Sequence, residues 1–587
     1  MGKIKDIANK ASQYKYTCVL LGIIFAMGIF LRVFHFSVWM PFELDQARDV
    51  FVIYDAVHGG FDHLPLLGPQ ARGRELFLGP IFYYFGFFAS MIFGVSPEAV
   101  ALPDLFFSLC AIPLFYLFAR LFFSRFVSVS LTAIVATSLF LVTYGRFAWN
   151  PNGMFFWSLV TFYGLLRAYE QKIFHAKWLI VFICGISVLT QLHFIGFIVA
   201  PLVAIVYMVM TKMRIPFRVF IMAVCIISLF YMPVIISEVH THGHNTRMFF
   251  SSVAMSEDAE SDANVASDLE HDIVEKAFRY IQESSTFYWN ILSADNNGRK
   301  NIRTDKKNHG YFPLVCDAQC KKALPHHIFA LSSFGVSLCV FFYTLYIFYR
   351  KPKEFDAEYL GKRKRLLLVF LWLIFGSAFL TLVAYQISPR FFLFLATPFL
   401  IILGVLLEAV LGWGKYGRMV VGMIVIAFVT TNLTMSWRYF SAIDQAQTIA
   451  DPAEWHDIAM NRDDIVTLSQ LRMAGEFIES AKDAQESFMI VGDNRYARAL
   501  YYIVTIEQGD DRALCYMKRG GFDVADTRGM TYFVLAKMGS SMQLNTEMLA
   551  THSIQKQKDF GTIALYKLVP HERSTIVNDL SSRCFVR

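Results

Sequence analysis

The sequence predicts a polytopic α-helical membrane protein of about eleven transmembrane helices, with a small α/β domain at its C-terminal end. Hydrophobic residues make up 55% of the chain and aromatic residues 16%, whereas a soluble domain is roughly 45–50% apolar. The net charge of +7 comes from lysines and arginines that cluster at the ends of apolar runs. Such clusters are typical of cytoplasmic loops, so we expect membrane lipids and no nucleic acid as partners.

Eleven apolar runs approach the roughly 20 residues that a transmembrane helix needs. They are residues 17–36, 101–122, 127–145, 153–169, 177–192, 194–211, 217–237, 326–349, 366–385, 391–411 and 418–436. The first run is long, and no small-residue cleavage site follows it. We therefore expect it to remain as a membrane anchor and not to be removed as a signal peptide.

A twelfth apolar segment, residues 77–94 (FLGPIFYYFGFFASMIFG), is predicted not to cross the membrane. Eleven crossings place the N-terminus and every basic cluster in the cytoplasm, whereas a twelfth would invert them all. A Gly-Pro pair and many aromatic residues fit a helix that lies at the outer interface, or one that dips in and returns. The loops 37–100 and 238–325 and the C-terminal tail then lie on the outer face.

The sequence divides into a membrane domain, residues 1–436, and an outer domain, residues 437–587. The tail has ordinary polarity and, at about 150 residues, the size of a domain. Its short β-like runs FMIVGD, TYFVLAK and TIALYKL are separated by helical stretches such as residues 466–482. This alternation predicts a small α/β domain.

Cysteine positions agree with this topology. Four of the nine cysteines fall in segments assigned to the outer face, where disulfides form; they are Cys316, Cys320, Cys515 and Cys584. The spacing favours the pairs Cys316–Cys320 and Cys515–Cys584, although four cysteines allow three pairings. An alternative for the first pair is a zinc site completed by His326 and His327, but no second CxxC or HxxxH accompanies it.

Polar residues recur at the outer ends of the predicted helices. They are Asp45 and Asp49 in the first loop, Arg72 and Arg74 before the interfacial helix, Arg146, Asn150 and Asn152 in YGRFAWNPNG, Gln191 and His193 in TQLHF, Glu238, and Arg390 in SPRFF. Each one alone is adequately explained as a solvated or snorkelling residue at a helix end. Their occurrence together on one side predicts a wet polar cavity that opens outward.

The stretch FELDQARDV, residues 42–50, directly follows the first span and suggests what this cavity does. A carboxylate close to several arginines suits a reaction in which a hydroxyl group loses a proton while a phosphate leaves. Asp45 is the candidate general base, and the guanidinium groups are candidates for holding phosphate through paired hydrogen bonds.

The order of motifs resembles a known family. An outer loop opening with Asp45, a Gly-Pro entry into an aromatic helix, and then YGRFAWNPN, QLH, YMPVIISEV and SPRFFLFLATP follow one another within residues 15–436. This order resembles the bacterial branch of the protein O-mannosyltransferase and aminoarabinose-transferase superfamily, which has the GT-C fold. The resemblance implies transfer of a sugar from a polyprenyl-phosphate donor to an envelope glycan, lipid or protein, outside the bacterial inner membrane and without a metal or other cofactor.

Several residue roles are implied by this resemblance. Asp45 matches the catalytic acidic residue of the family's first loop, and Arg390 matches a late basic residue that meets the donor phosphate. The family usually has Asp-Glu where this chain has Asp45 and Gln46, so the neighbouring charge is missing. This difference makes metal binding by paired carboxylates less expected still.

Two other functions fit a chain with many spans and a polar cavity. A lipid or glycan transporter or flippase would be expected to carry ionisable residues near mid-span or paired broken helices, whereas the charges noted above lie at span ends. An O-antigen-type polymerase or ligase would share the lipid-linked substrate and the chemistry on the outer face. The sequence specifies neither the sugar nor the acceptor.

Overall fold

The computed structural model of the protein describes most of the chain. The described residues are 2–70, 76–170, 173–254, 273–295, 302–304, 314–316, 318–350, 357–384, 387–450, 465–483, 486–518, 530–537, 546–571 and 584–585. Arg72 and Arg74 lie outside these ranges, as do the side chains of Cys316, Cys320 and Cys584.

Helices dominate the part of the chain up to residue 446. They are α1 (Gly2–Val33), α2 (Leu44–Gly59), α3 (Ile81–Phe93), α4 (Pro97–Ala119), α5 (Arg125–Thr137), α6 (Leu139–Thr143), α7 (Met154–Ala168), α8 (Ala176–Leu192), α9 (Phe194–Met210), α10 (Phe217–His240), α11 (His244–Ala254), α12 (Ile273–Ser293), α13 (Ala318–Arg350), α14 (Ala357–Leu382), α15 (Phe391–Leu411) and α16 (Lys415–Ala446). Two short antiparallel pairs join β1 (Tyr169–Glu170) to β2 (Ile173–Phe174) and β3 (Ile302–Thr304) to β4 (Leu314–Cys316).

The described residues that follow α16 form an α/β domain around a six-stranded sheet. Its helices are α17 (Leu468–Ala481), α18 (Asn494–Tyr502) and α19 (Thr546–Thr551), and its strands are β5 (Phe488–Gly492), β6 (Ala513–Lys518), β7 (Thr531–Lys537), β8 (His552–Phe560), β9 (Ile563–Pro570) and β10 (Cys584–Phe585). The strand order is β10-β6-β5-β7-β9-β8, with β5 parallel to both β6 and β7. The predicted fold class, a polytopic helical membrane protein with a small C-terminal α/β domain, is confirmed.

Seven helices within the described ranges are long and apolar enough to cross a membrane. They are Lys15–Val33, Pro97–Ala119, Phe217–His240, Ala323–Arg350, Leu360–Leu382, Phe391–Leu411 and Lys415–Ala446. The other four predicted spans coincide with shorter apolar helices, namely α5, α7, α8 and α9, and α3 belongs to the same length class. The number of membrane crossings therefore remains a prediction based on charge. So does the prediction that residues 77–94 do not cross the membrane.

The predicted outer loop 238–325 contains a helix that packs inside the bundle and that the apolar pattern does not predict. Helix α12 contacts α13, α14, α15 and α16, and the ring of Phe287 stacks on that of Phe392 with centroids 4.2 Å apart. Ser138 and Asn432 donate hydrogen bonds of 2.7 and 2.6 Å to the carbonyls of Ile291 and Leu292 at its C-terminal end. Because α12 is amphipathic and carries several charges, a search for purely apolar runs passes over it.

Cys515 is disulfide-bonded, whereas the five cysteines predicted to lie in spans are free; these are Cys18, Cys110, Cys184, Cys225 and Cys339. Strand β10 pairs antiparallel with β6, with Cys584 opposite Met517 and Phe585 opposite Tyr516. Positions 515 and 584 are thus diagonal neighbours on one face of the sheet. This register agrees with the Cys515–Cys584 pairing, which stays a prediction, as does Cys316–Cys320.

Substituting Cys584 by Ser is expected to destabilise the C-terminal domain by about 2–4 kcal/mol, because a disulfide restricts the unfolded chain. Thermal unfolding of the purified full chain under non-reducing conditions measures this loss. Cys225→Ser, at an exposed free cysteine, is the matched control and should unfold like the wild type. Mass-spectrometric mapping that finds Cys584 alkylated in the unreduced protein would rule the pairing out.

Candidate active site

The first turn of α2 presents Asp45. Glu43 precedes the helix as its N-cap in an extended conformation, and its backbone N–H donates to the side-chain oxygen of Gln46 at 3.2 Å. This is the reciprocal half of a capping box, which accepts either Glu or Gln. Gln46 is 2% exposed, so an uncharged amide fills this position without burying a further charge. The capping role of Gln46 therefore explains why a glutamine follows Asp45 in this chain.

Arg48 joins the two carboxylates of this helix. Its guanidinium donates to Asp45 at 3.2 Å and to Asp49 at 2.8 Å. The side chain of Asp45 is 40% exposed and that of Asp49 is fully buried. The hydroxyl of Tyr83 on α3 donates to the same oxygen of Asp49 at 3.0 Å. Asp45 can therefore meet a substrate, whereas Asp49 is enclosed and anchors Arg48.

Burial raises the pKa of Asp49 to about 6, against the opposing attraction of Arg48. The negative charge of Asp45 acts in the same direction as burial. The second carboxylate oxygen of Asp49 has no hydrogen-bond partner among the described residues. A buried carboxyl group with one unpaired oxygen favours its protonated form.

Stability is expected to fall as pH rises from about 4 to about 6, because Asp49 binds its proton more tightly in the folded protein than in the unfolded chain, where its pKa is near 3.8. The folded state then holds more protons across this window, and the free energy of unfolding decreases with pH by up to roughly 3 kcal/mol. Asp49→Asn should flatten this part of the profile. Melting temperatures from pH 4 to 7 measure it, with exposed Asp55→Asn as control; equal slopes in the wild type and Asp49→Asn would contradict the assignment.

Trp149, in the loop between α6 and α7, links Asp45 to a distant part of the chain. Its indole N–H donates to the second oxygen of Asp45 at 3.3 Å. Its backbone N–H donates to Asp104 on α4 at 3.0 Å, and the guanidinium carbon of Arg390 lies 4.8 Å from its ring centroid. Trp149 is 5% exposed. One buried indole therefore holds the candidate base on its edge and a cation over its face.

Arg390 is a cation that lies against aromatic rings and has an unpaired donor. It is the N-cap of α15, where the helix dipole adds partial positive charge. Its guanidinium faces the rings of Trp149 and Phe391, and among the described residues its Nε has no hydrogen-bond partner. Burial lowers the pKa of Arg390, while Tyr144 and Asp45 act in the opposite direction. An anionic group bound here would relieve part of this desolvation cost.

Two further predicted residues lie next to the two rings that Arg390 faces. His193 caps the N-terminus of α9 through its Nδ1, which accepts from the backbone N–H of Ile195 at 3.3 Å. Its ring packs edge-on against Phe391, with centroids 4.8 Å apart. Asn150 donates to the carbonyl of Leu192 at 2.7 Å, which ties the Trp149 loop to the α8–α9 corner. Both side chains are buried, and each is one step removed from Arg390, through Phe391 or through Trp149.

Arg146 and Glu238, predicted as cavity residues, are engaged elsewhere. The guanidinium of Arg146 donates to the carbonyls of Leu31, Arg32 and Phe34 at 2.9, 3.0 and 2.8 Å. It therefore satisfies backbone acceptors at the end of α1. Glu238 accepts from the backbone N–H of Thr246 at 3.1 Å, near the start of α11. The structure does not bring either side chain into the Asp45–Trp149–Arg390 group.

The structure also places in this group residues that were not predicted from the sequence. Trp149 lies within the motif YGRFAWNPNG, but only the polar residues of that motif were predicted to belong to the site. Asp104 sits in an apolar run, where a carboxylate is a functional signal in its own right, and it could have been found that way. Tyr83 carries no comparable signal, because a tyrosine in an aromatic segment is common.

No group of three or more His, Cys, Asp or Glu side chains within the described ranges could hold a metal ion. The proposed zinc ligand His326 instead contacts Asp295, with its Nδ1 2.5 Å from a carboxylate oxygen. The two cysteine side chains of that alternative lie outside the described residues. What the chain does bring together is a half-exposed carboxylate, a buried indole and a cation at the end of the bundle that carries α2.

These features define a class, a multi-pass membrane protein in which a carboxylate, an indole and a guanidinium group from different helices and loops come together. No family model matches the chain, and no curated protein matches it. Among solved structures, the chain is similar to the oligosaccharyltransferase AglB from Archaeoglobus fulgidus, in complex with an inhibitory peptide and a dolichol-phosphate. The identity is 15% and the TM-score 0.47, over 84% of this chain and 64% of that one.

The chain is also similar to ArnT from Cupriavidus metallidurans in the apo state, at 8% identity and a TM-score of 0.42 over 95% of this chain and 98% of that one. The ArnT structure bound to undecaprenyl phosphate matches at 9% identity and a TM-score of 0.41. The chain spans less than two thirds of the length of the oligosaccharyltransferase.

Proposed function

We propose that the protein is a membrane glycosyltransferase that moves a sugar from a polyprenyl-phosphate donor to an acceptor on the outer face of the bacterial inner membrane. The observation that supports this most directly is the placement of Asp45 and Arg390 around Trp149. A base and an anion site held by one rigid side chain suit a displacement in which a proton is removed as a phosphate departs.

In the proposed reaction, Asp45 accepts the proton of an acceptor hydroxyl group. The freed oxygen attacks the anomeric carbon of the donor sugar, and the bond between that carbon and the phosphate oxygen breaks. The electron pair leaves with the polyprenyl phosphate, which gains negative charge, and the anomeric configuration inverts. We assign the stabilisation of this charge to Arg390 and the N-terminus of α15, and electrostatic stabilisation of such charge is often the largest catalytic contribution.

The surroundings of Asp45 support its role as base. Arg48 and the indole of Trp149 each hold one carboxylate oxygen, which orients the side chain while it stays 40% exposed. Arg72 and Arg74 are proposed as further phosphate ligands, and this part of the proposal rests on the sequence alone. The acceptor is an envelope glycan, lipid or protein.

The full chain, purified and reconstituted in lipid nanodiscs, tests this function with a panel of polyprenyl-phosphate-linked hexoses and pentoses. Release of free polyprenyl phosphate that requires an acceptor with a hydroxyl group is the expected result. The alternative function, that of a lipid or glycan transporter, is tested in vesicles. The movement of a fluorescent polyprenyl-phosphate sugar across the bilayer is measured there. Movement of lipid without cleavage of any sugar–phosphate bond would overturn the proposal in favour of a flippase.

A further inference from the structure

The C-terminal domain reaches the chain immediately before Asp45. The backbone N–H of Leu468 donates to the carbonyl of Met40 at 2.8 Å, and Pro41 and Thr467 form an isolated β-bridge. Thr467 caps α17 in a capping box with Gln470. The entry into α2 is therefore hydrogen-bonded to the start of a helix that belongs to the other domain.

A second contact lies along one side of α2. The rings of Phe42 and Phe51 pack edge-on against Tyr502 at the end of α18, with centroids 5.6 and 5.2 Å apart. All three rings are buried. Edge-to-face aromatic pairs add directional preference to apolar burial. Because Phe42 precedes Asp45 and Phe51 follows it, these contacts hold α2 on both sides of the candidate base.

A third contact is an ion pair between the domains. Arg472 on α17 donates to both oxygens of Glu98 in the first turn of α4, at 2.5 and 3.0 Å. It also donates to both oxygens of Glu507 at 2.8 Å. A planar guanidinium bound by two carboxylates in this way has a defined orientation. The C-terminal domain is thus fixed to the helix bundle close to α2.

We propose that the C-terminal domain is a positioning element for α2, and that Arg472 and Glu98 form the contact that couples the two domains. The domain holds Asp45 at the distance from Trp149 and Arg390 that the reaction needs, and loss of the coupling contact loosens α2. The role assigned to Asp45 rests on the proposed function, but the mechanical coupling does not. Arg472 is a positioning residue, since it contacts none of the groups assigned to the chemistry.

Hydrogen exchange of the full chain in nanodiscs tests the coupling without any transfer assay. Glu98→Gln removes the charge on the membrane-domain side and leaves the pair between Arg472 and Glu507 intact, and Arg472→Ala removes both. We expect amides of residues 44–59 to exchange about tenfold faster in both variants. Arg512→Ala is the control, because Arg512 pairs with Asp510 inside the C-terminal domain, and it should leave α2 protected.

Kinetics separate positioning from general stability. In the transfer assay, Glu98→Gln should lower kcat while the KM for the donor stays within about twofold, because the phosphate site at Arg390 is untouched. Unchanged protection of α2 in both variants would overturn the proposal. So would equal loss of protection in Arg512→Ala, since any loosening of the C-terminal domain would then suffice. Faster exchange of α2 in a chain whose wild type transfers no sugar supports the coupling and refutes only the proposed function.

Discussion

Asp45→Asn abolishes sugar transfer and leaves donor binding nearly unchanged: this is the result that we expect from the site. The amide keeps the shape of the side chain and its hydrogen bond from Trp149, and it loses the ability to take a proton. General-base catalysis is typically worth 10²- to 10⁴-fold in rate, so kcat should fall by about 10³-fold. Single-turnover transfer and equilibrium binding of polyprenyl phosphate to the same reconstituted sample measure the two effects.

Asp55→Asn is the matched control for this experiment, because Asp55 is an exposed carboxylate on the same helix. It should retain full activity. Asp45→Glu keeps a base but displaces it by about one methylene, which should restore part of the rate, since misplacement of a catalytic group is costly. Transfer by Asp45→Asn within about tenfold of the wild-type rate would eliminate Asp45 as the base.

Arg390→Ala is expected to weaken both donor binding and turnover, because the phosphate is charged before the reaction and gains charge during it. Loss of one preorganised donor to a developing anion typically costs about 10²- to 10³-fold in kcat. Titration of the reconstituted protein with undecaprenyl phosphate and with an uncharged polyprenol separates recognition of phosphate from recognition of the lipid chain. We expect only the phosphate-dependent part of the binding to disappear.

Two variants refine this prediction. Arg390→Lys keeps the charge and loses the planar face that lies over Trp149, so it should recover binding more than turnover. Arg438→Ala removes an exposed arginine from α16 and should have no effect on either quantity. If Arg390→Ala binds undecaprenyl phosphate as tightly as the wild type does, the donor phosphate lies elsewhere, and Arg72 and Arg74 become the next candidates.

The candidate base is local in the sequence, but the rest of its site is not. Asp45 could be chosen because carboxylates and an arginine follow an apolar run directly, and the capping pattern of Glu43 and Gln46 is readable within four residues. Trp149 is 104 residues from Asp45 in the chain, and nothing in its neighbourhood marks it as a bridge. Arg146 and Glu238 were predicted to line the cavity because, like Asp45, they are charged residues at the outer ends of predicted helices. In the structure their side chains form hydrogen bonds with backbone groups instead.

Apolar run length, charge clusters and alternating patterns are local properties of the chain, so they are enough to predict a helical membrane protein with a C-terminal α/β domain. The three-dimensional arrangement is needed to see that α12 packs within the bundle, that Trp149 joins Asp45 to Arg390, and that Arg472 contacts Glu98, which is 374 residues away in the chain. Each of these contacts depends on how helices pack around one another. Packing follows from the complementarity of whole surfaces, and no short stretch of sequence contains that information.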